Sequence, residues 1–131
     1  LPDLINKVLQ GQDPLHILGE GNQVRCYTNG KDLARGIRMA MESDKAENED
    51  FNLSLKYPTS VLELANIVWK RLKPDTEFNF VSDEPYTHDV QKRVPDTTKA
   101  KEILGFEAVV SLEESVDEVI SYMRNKINGK A

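Results

Sequence analysis

Two stretches decide how this chain reads: Gly19-Glu20-Gly21-Asn22-Gln23-Val24-Arg25 and Arg93-Val94-Pro95-Asp96-Thr97-Thr98-Lys99-Ala100-Lys101-Glu102-Ile103-Leu104-Gly105-Phe106. In the first, a Gly-x-Gly turn feeds a strand expected over Gln23 to Tyr27, with Arg25 inside it. In the second, Arg93 stands ahead of Pro95 and Asp96, which open a helix, and Gly105 closes it. Each stretch sets one arginine at the mouth of a structured element, where a planar guanidinium can hold phosphate oxygens through two parallel bonds.

Working outward, helices and strands alternate without repeats or low-complexity tracts. Pro2 opens a helix whose Leu4, Ile5, Val8 and Leu9 share a face, and Gly11 ends it. Leu15 to Leu18, Gln23 to Tyr27, Phe51 to Leu55 and Glu77 to Val81 are the strand candidates. A helix from about Lys31 to Ser43 is expected to turn Leu33, Ala34, Ile37, Ala40 and Met41 inward, and Lys45 to Asp50 follows as a charged loop. Ser60 and Glu63 form a capping box for a helix carrying Val61, Leu64, Ala65, Val68, Trp69 and Leu72, which Pro74 stops. Ser82 to Pro95 is a long polar segment of the kind that carries function. Asp96 or Thr97 caps a helix from Lys99 to Leu104. Ser111 with Glu114 caps the last helix, which uses Leu112, Val116, Val119, Ile120, Met123 and Ile127. Four strands among helices imply an α/β domain whose sheet order is not legible in the sequence.

The 131 residues suffice for one core, and 39% hydrophobic with 30% charged residues is ordinary globular usage. No apolar run approaches the roughly 20 residues that cross a bilayer, and no basic-then-apolar leader opens the chain, so no membrane partner is expected. The single cysteine, Cys26, has no internal disulfide partner, which fits a cytoplasmic location. The net charge of −5 argues against a nucleic-acid partner, which needs a basic surface. It does not argue against a small diphosphate, because distant carboxylates are screened over roughly 8 to 10 Å and two local arginines dominate. His16 and His88 have no metal-ligand spacing to Cys26 or to each other, and no metal is expected. Asn52-Leu53-Ser54 spells a glycosylation acceptor inside an expected strand, where coincidence explains it better.

Both opening stretches resemble the C-terminal half of the extended short-chain dehydrogenase/reductases, the NAD-dependent nucleotide-sugar epimerases, dehydratases and decarboxylases. That family writes the first as Gly-Asp/Glu-Gly-x-Gln-x-Arg with an Asp seven positions after the Arg, where Asp32 falls. Its UDP-xylose-synthase-like members write the second as Arg-x-Pro-Asp-x-x-Lys-Ala-x-x-x-Leu-Gly-Phe/Trp, and every fixed position is present. Leu1 to Leu9 and Leu112 to Met123 look like the family's flanking helices, so the resemblance covers nearly the whole chain. The resemblance implies a small substrate-binding domain, residues 1–131, that lacks the N-terminal Rossmann domain. The glycine-rich cofactor turn and the catalytic Tyr-x-x-x-Lys are expected upstream of residue 1, and the missing initiator Met fits a fragment.

Tyr27 to Lys31 and Tyr122 to Lys126 spell the same Tyr-x-x-x-Lys, but neither is expected to be catalytic. A working pair shares one helix face beside a nicotinamide so that the lysine lowers the phenol's pKa. Gly19 and Gly21 lack the third glycine of a dinucleotide fingerprint and read as a turn.

The resemblance implies that Arg25 and Arg93 grip a nucleotide-sugar diphosphate, that Gln23 joins them, and that Arg93 also bears on turnover in decarboxylating members. No residue here is expected to be catalytic, none to bind cofactor, and NAD is implied only for the intact enzyme. The bland readings stand beside these. Arg25 has the alternative of a salt bridge to a neighbouring carboxylate, Gln23 that of bonding its own backbone, and Asp32 is an N-cap or a partner orienting Arg25 before it is a catalyst. Trp69 is a core or interface residue.

The chain departs from the family pattern at Cys26, where Asp is usual, at Asn29 and Gly30, where His or Tyr and then Val are favoured, and at Ala108, where a proline is common. The implied role is the substrate-binding portion of a nucleotide-sugar epimerase, dehydratase or decarboxylase, its partner the missing NAD-binding domain. The alternative is a non-catalytic binding or interaction module. Exposed apolar surface where a cofactor domain would dock separates the two, since such interfaces bury roughly 600 to 1,500 Å².

Overall fold

The computed structural model describes residues 1–127 and Gly129. Its elements run α1 (Pro2–Leu9), β1 (Leu15–Leu18), β2 (Val24–Arg25), α2 (Gly30–Met41), a 3-10 turn (Asp44–Ala46), β3 (Thr59–Ser60), α3 (Val61–Leu72), β4 (Phe80–Asp83), β5 (Lys92–Arg93), α4 (Thr98–Leu104) and α5 (Leu112–Ile127). The fold is α/β, with two small sheets. In one, β1 pairs parallel with β4; in the other, β2 lies between antiparallel β3 and parallel β5.

The core sits where α1, α3 and α5 meet β1. Ile5, Leu15, Ala65, Val68, Trp69 and Val116 are fully buried there. The ends of these helices are fixed locally. Ser60 Oγ accepts the Glu63 N–H at 3.1 Å while Glu63 Oε2 accepts the Ser60 N–H at 2.7 Å, and Ser111 and Glu114 repeat the exchange ahead of α5. Trp69 is held by more than packing, because its Nε1 donates to the Thr76 carbonyl at 3.1 Å and Phe78 meets its ring edge-on at 5.8 Å.

Several expectations are corrected. The strand expected over Gln23 to Tyr27 shrinks to Val24–Arg25, because the chain leaves the ladder to bring Asn29 to the start of α2. Phe51 to Leu55 joins no ladder among the described residues. Side chains take its polar contacts instead: the Leu55 N–H donates to Thr28 Oγ1 at 2.9 Å, and Asn52 Nδ2 donates to the Asp96 carbonyl at 3.0 Å. The strand expected at Glu77 to Val81 shifts to Phe80–Asp83, its register set by pairing Leu15 with Phe80. The polar segment from Ser82 to Pro95 begins in β4 and contains β5, and β3 and β5, two residues each, have no sequence period to reveal them.

The largest correction concerns α2. Leu33, Ile37 and Met41, expected inside, are exposed, Met41 at 82%, while Asp32 and Gly36 are buried. The helix presses its opposite face on Phe106, where a Cβ on Gly36 would come within 2.8 Å of the ring. Asp32 is neither the N-cap nor a partner of Arg25. Asn29 caps α2 by accepting the Lys31 N–H at 2.8 Å. Asp32 instead accepts the amides of Val109 and Val110, both at 2.8 Å, and the Arg35 guanidinium at 2.8 Å, fixing the link from α4 to α5. Burial pushes its carboxyl up, but the Arg35 bond, the two amides and the Arg35 charge outweigh it and hold it below the usual carboxylate range.

Candidate functional site

The site is built from the Gly19–Gly21 turn upward. Both glycines have positive φ, 64° and 74°, and a Cβ on Gly21 would sit 3.1 Å from the Leu62 Cβ, so the turn can lie against the start of α3 only without side chains. The Leu62 N–H donates to the Gly21 carbonyl at 2.9 Å and the Val61 N–H to the Gln23 carbonyl at 3.0 Å. Two free N–H groups at a helix start thereby anchor the loop that delivers Gln23 and Arg25.

From there β2 pairs with β5, and the register places Arg25 opposite Arg93. Residues in register on neighbouring parallel strands, about 4.8 Å apart, project from the same face of the sheet. The two arginines, far apart in sequence, thus stand side by side. Arg93 is exposed and has no carboxylate partner among the described residues, whereas Arg25 is held. Its Nη1 donates to the Val24 carbonyl at 2.8 Å and its Nη2 lies 3.4 Å from Asp89 Oδ1.

Gln23 is 7% exposed. Its Nε2 donates to Asp89 Oδ2 at 2.8 Å and to the Leu18 carbonyl at 3.3 Å, while its Oε1 is buried without a partner among the described residues. Gln23, Arg25 and Asp89 line a cavity of about 290 Å³ that Tyr27, Tyr86 and His16 also face. Arg93 is not in that wall. Burial pushes the Tyr27 phenol up despite the Arg25 charge, so it stays protonated at neutral pH. His16 Nδ1 is 2.7 Å from Asp83 Oδ1 across the β1–β4 pair. Asp89, Tyr86 and His16 were not picked out by sequence reasoning as site residues. The available signal was the long polar segment, which carries Asp89 and Tyr86 to the cavity.

Of the accidental Tyr-x-x-x-Lys matches, Lys31 pairs with Glu118 of α5, and Tyr122 is 60% exposed on α5. The Gly19–Gly21 turn does not have the form of a dinucleotide fingerprint, since it runs into strand β2 and not into a helix. Among the described residues no group of three or more His, Cys, Asp or Glu is placed to hold a metal ion, and no helix is long and apolar enough to cross a membrane. Asn29 makes clear what one departure from the family pattern does, since its Nδ2 donates to Ser115 Oγ and Glu118 Oε2, each at 3.1 Å, tying α2 to α5.

Comparison with known proteins identifies the family and the fold. Residues 1–119 match the family model described as GDP-mannose 4,6 dehydratase. The chain is 34% identical over 119 residues to UDP-glucuronic acid decarboxylase 2 of Arabidopsis thaliana, covering 90% of this chain and 26% of the relative. To UDP-glucuronic acid decarboxylase 1 of Xenopus tropicalis it is 32% identical over 129 residues, 98% of this chain and 30% of the relative. It spans only about a quarter to a third of the length of such relatives. Among solved structures, the UDP-glucose 4-epimerase of Thermotoga maritima with UDP-glucose superposes with a TM-score of 0.82 at 34% identity, over 95% of this chain and 39% of that one. The UDP-glucuronic acid 4-epimerase of Bacillus cereus, in complex with UDP-glucuronic acid and NAD, gives 0.83 at 25% identity, over 94% and 38%.

Proposed function

The chain belongs to the GDP-mannose 4,6-dehydratase family within the extended short-chain dehydrogenases/reductases, and from that premise we propose that it is the substrate-binding portion of a nucleotide-sugar epimerase, dehydratase or decarboxylase. Arg25 and Arg93 clamp the nucleoside diphosphate, Gln23 adds an amide, and the clamp fixes which sugar carbon is presented for reaction. The observation that carries this reading is the register of β2 on β5, which sets Arg93 opposite Arg25, and Arg25 lies in the wall of the cavity. NAD supplies hydride chemistry in such enzymes and would be held by a cofactor domain outside these residues. The residues of this chain bind and orient.

Against the alternative of an independent interaction module stands the exposed apolar face of α2. Ile37 and Met41 line an open pocket with Phe51 and Leu53, whose segment joins no ladder among the described residues. An unpartnered apolar helix face is what a second domain would cover.

NMR titration of the chain with UDP tests the clamp. Binding is expected to be weak, on the order of millimolar, because few contacts offset the ordering cost, with amides of Gly21 to Tyr27 and Val90 to Asp96 shifting together. Arg25→Ala and Arg93→Ala each remove charge-assisted bonds of roughly 1.5 to 3 kcal/mol, so about a ten- to a hundred-fold loss should leave binding undetectable. Melting should barely change. A variant that melts early yet still binds UDP makes its arginine structural and overturns the assignment. NAD should not bind the chain at micromolar concentration, as calorimetry would show.

A further inference from the structure

We infer that Asn29 is a positioning residue for the clamp: its buried amide ties the segment leaving β2 to helix α5 and so sets where the Arg25 guanidinium stands. The inference rests on the diphosphate reading above and gives that site a support outside its own walls.

Arg25 is the last residue of β2, so the ladder that aligns it with Arg93 ends there. Asn29, the N-cap of α2, follows within about 14 Å of fully extended chain. The segment between them, Cys26 to Asn29, joins no ladder among the described residues. The course of the strand exit is therefore set by the side chains of this short segment. Thr28 Oγ1 accepts the Leu55 N–H at 2.9 Å, and Tyr27 lines the same cavity as Arg25. Asn29 carries the anchor to the helical core.

Asn29 is 8% exposed and its whole amide is engaged. Oδ1 accepts the Lys31 N–H at 2.8 Å, and Nδ2 donates to Ser115 Oγ and to Glu118 Oε2, each at 3.1 Å. Exchanging the amide oxygen and nitrogen would set N–H against N–H at Lys31 and oxygen against carboxylate at Glu118, so a single orientation satisfies the network. The receiving side is equally defined. Ser115 is buried and gives its hydroxyl proton to the Ser111 carbonyl at 2.9 Å, which leaves its oxygen to accept. Glu118 pairs with Lys31 through its other oxygen, and the Lys31 and Asn29 bonds hold its carboxyl below the usual range. Val116, between these two acceptors, is fully buried, so both stand on a helix locked into the core.

A buried polar network with its donors and acceptors all matched fixes one geometry. The Arg25 guanidinium needs that, because binding groups must be held within about 0.5 Å of their productive placement. Its own wall supplies only the Val24 carbonyl at 2.8 Å and the long Asp89 contact at 3.4 Å.

The test exchanges donor for acceptor and leaves the helix cap in place. Asn29→Asp keeps an oxygen for the Lys31 N–H, but it cannot donate to Ser115 and sets a carboxylate against Glu118. In an NMR titration well below the melting temperature, Asn29→Asp should bind UDP about three- to tenfold more weakly than wild type, the size of coupling carried within one contact network. Adding Glu118→Gln returns a donor, the same bond with its polarity reversed, and should restore UDP affinity to within about twofold of wild type. Glu118→Gln alone still offers Asn29 an acceptor and should bind UDP as wild type does. Wild-type UDP affinity in Asn29→Asp overturns the inference even where the melting temperature falls, since Asn29 is then structural only. A weakening that Glu118→Gln does not repair overturns it as well. If UDP leaves the Gln23 to Arg25 amides of the wild type unmoved, the diphosphate reading falls and takes this inference with it. Should Asn29→Asp not fold, Asn29→Ser, which keeps a cap oxygen without the reach to α5, replaces it: weakened UDP binding supports the inference and wild-type binding overturns it.

Discussion

Helices α2 and α3 are each 12 residues long and each carry an apolar stripe, yet they meet opposite fates. In α3 the stripe is interior: Leu64, Ala65, Val68 and Trp69 are buried against α1, α5 and β1. In α2 it faces outward, and the helix is held instead by its small and polar face, through Gly36 on Phe106 and Asp32 on the Val109 and Val110 amides. One side of the molecule is closed by its own core, and the other is tied by specific contacts while its apolar surface stays open. An amphipathic pattern states that a stripe needs covering and leaves open whether this chain covers it.

The widest test of that contrast is Trp69→Ala, which empties the closed side and strands the Thr76 carbonyl. It should cost about 3 to 5 kcal/mol in urea unfolding. A loss below 1 kcal/mol would mean that the closed side is not the stabilising one.

Next comes Asp32→Ala on the open side, which leaves the Val109 and Val110 amides without their acceptor and Arg35 without its carboxylate partner. About 2 to 4 kcal/mol is expected. The same carboxylate gives a pH signature. Its folded pKa lies below the unfolded value, so its contribution is present above the ordinary Asp range and is lost as pH falls through the lowered folded value. Wild type should therefore lose stability below about pH 4 in a component that Asp32→Ala lacks. Identical acid limbs would deny Asp32 that role.

A smaller effect is expected at Gly36→Ala. Alanine in a helix interior is ordinarily favoured by up to about 1 kcal/mol, but here the new Cβ meets Phe106 at 2.8 Å. The collision should win by about 1 to 3 kcal/mol, and a stabilised variant would show that α2 floats on its neighbour.

The smallest change sharpens the comparison most. Ile37→Gln and Met41→Gln, on the open stripe, should alter the stability of this chain by no more than about 0.5 kcal/mol. A substantial loss would show that the stripe already has a partner within the chain, and the case for a covering domain would weaken.

Parts of this picture were legible in advance. The ends of α1, α3 and α5 follow from Pro2, from the Ser60–Glu63 and Ser111–Glu114 boxes and from Pro74, because caps and breakers act within a turn or two of themselves. Gly105, at φ 67°, closes α4 for the same reason. Strands fared worse. Phe51 to Leu55 has strand composition, but a strand requires a neighbour, and side-chain hydrogen bonds took that place. β3 and β5 are too short to show a period, so the arginine pairing that depends on β5 had no sequence signal beyond the motif itself.

By itself the sequence determined the local grammar: which segments are helical, where they stop, which turn needs glycine, and which two arginines matter by resemblance. These depend on interactions between near neighbours, which the order of residues specifies directly. Tertiary structure decided that Arg25 stands opposite Arg93, that Asp89 and not Asp32 meets Arg25, and that α2 turns its apolar stripe away from the core. Those outcomes depend on which distant segments pack together, and one helix period is equally compatible with an inward or an outward face until the neighbours of that helix are in place.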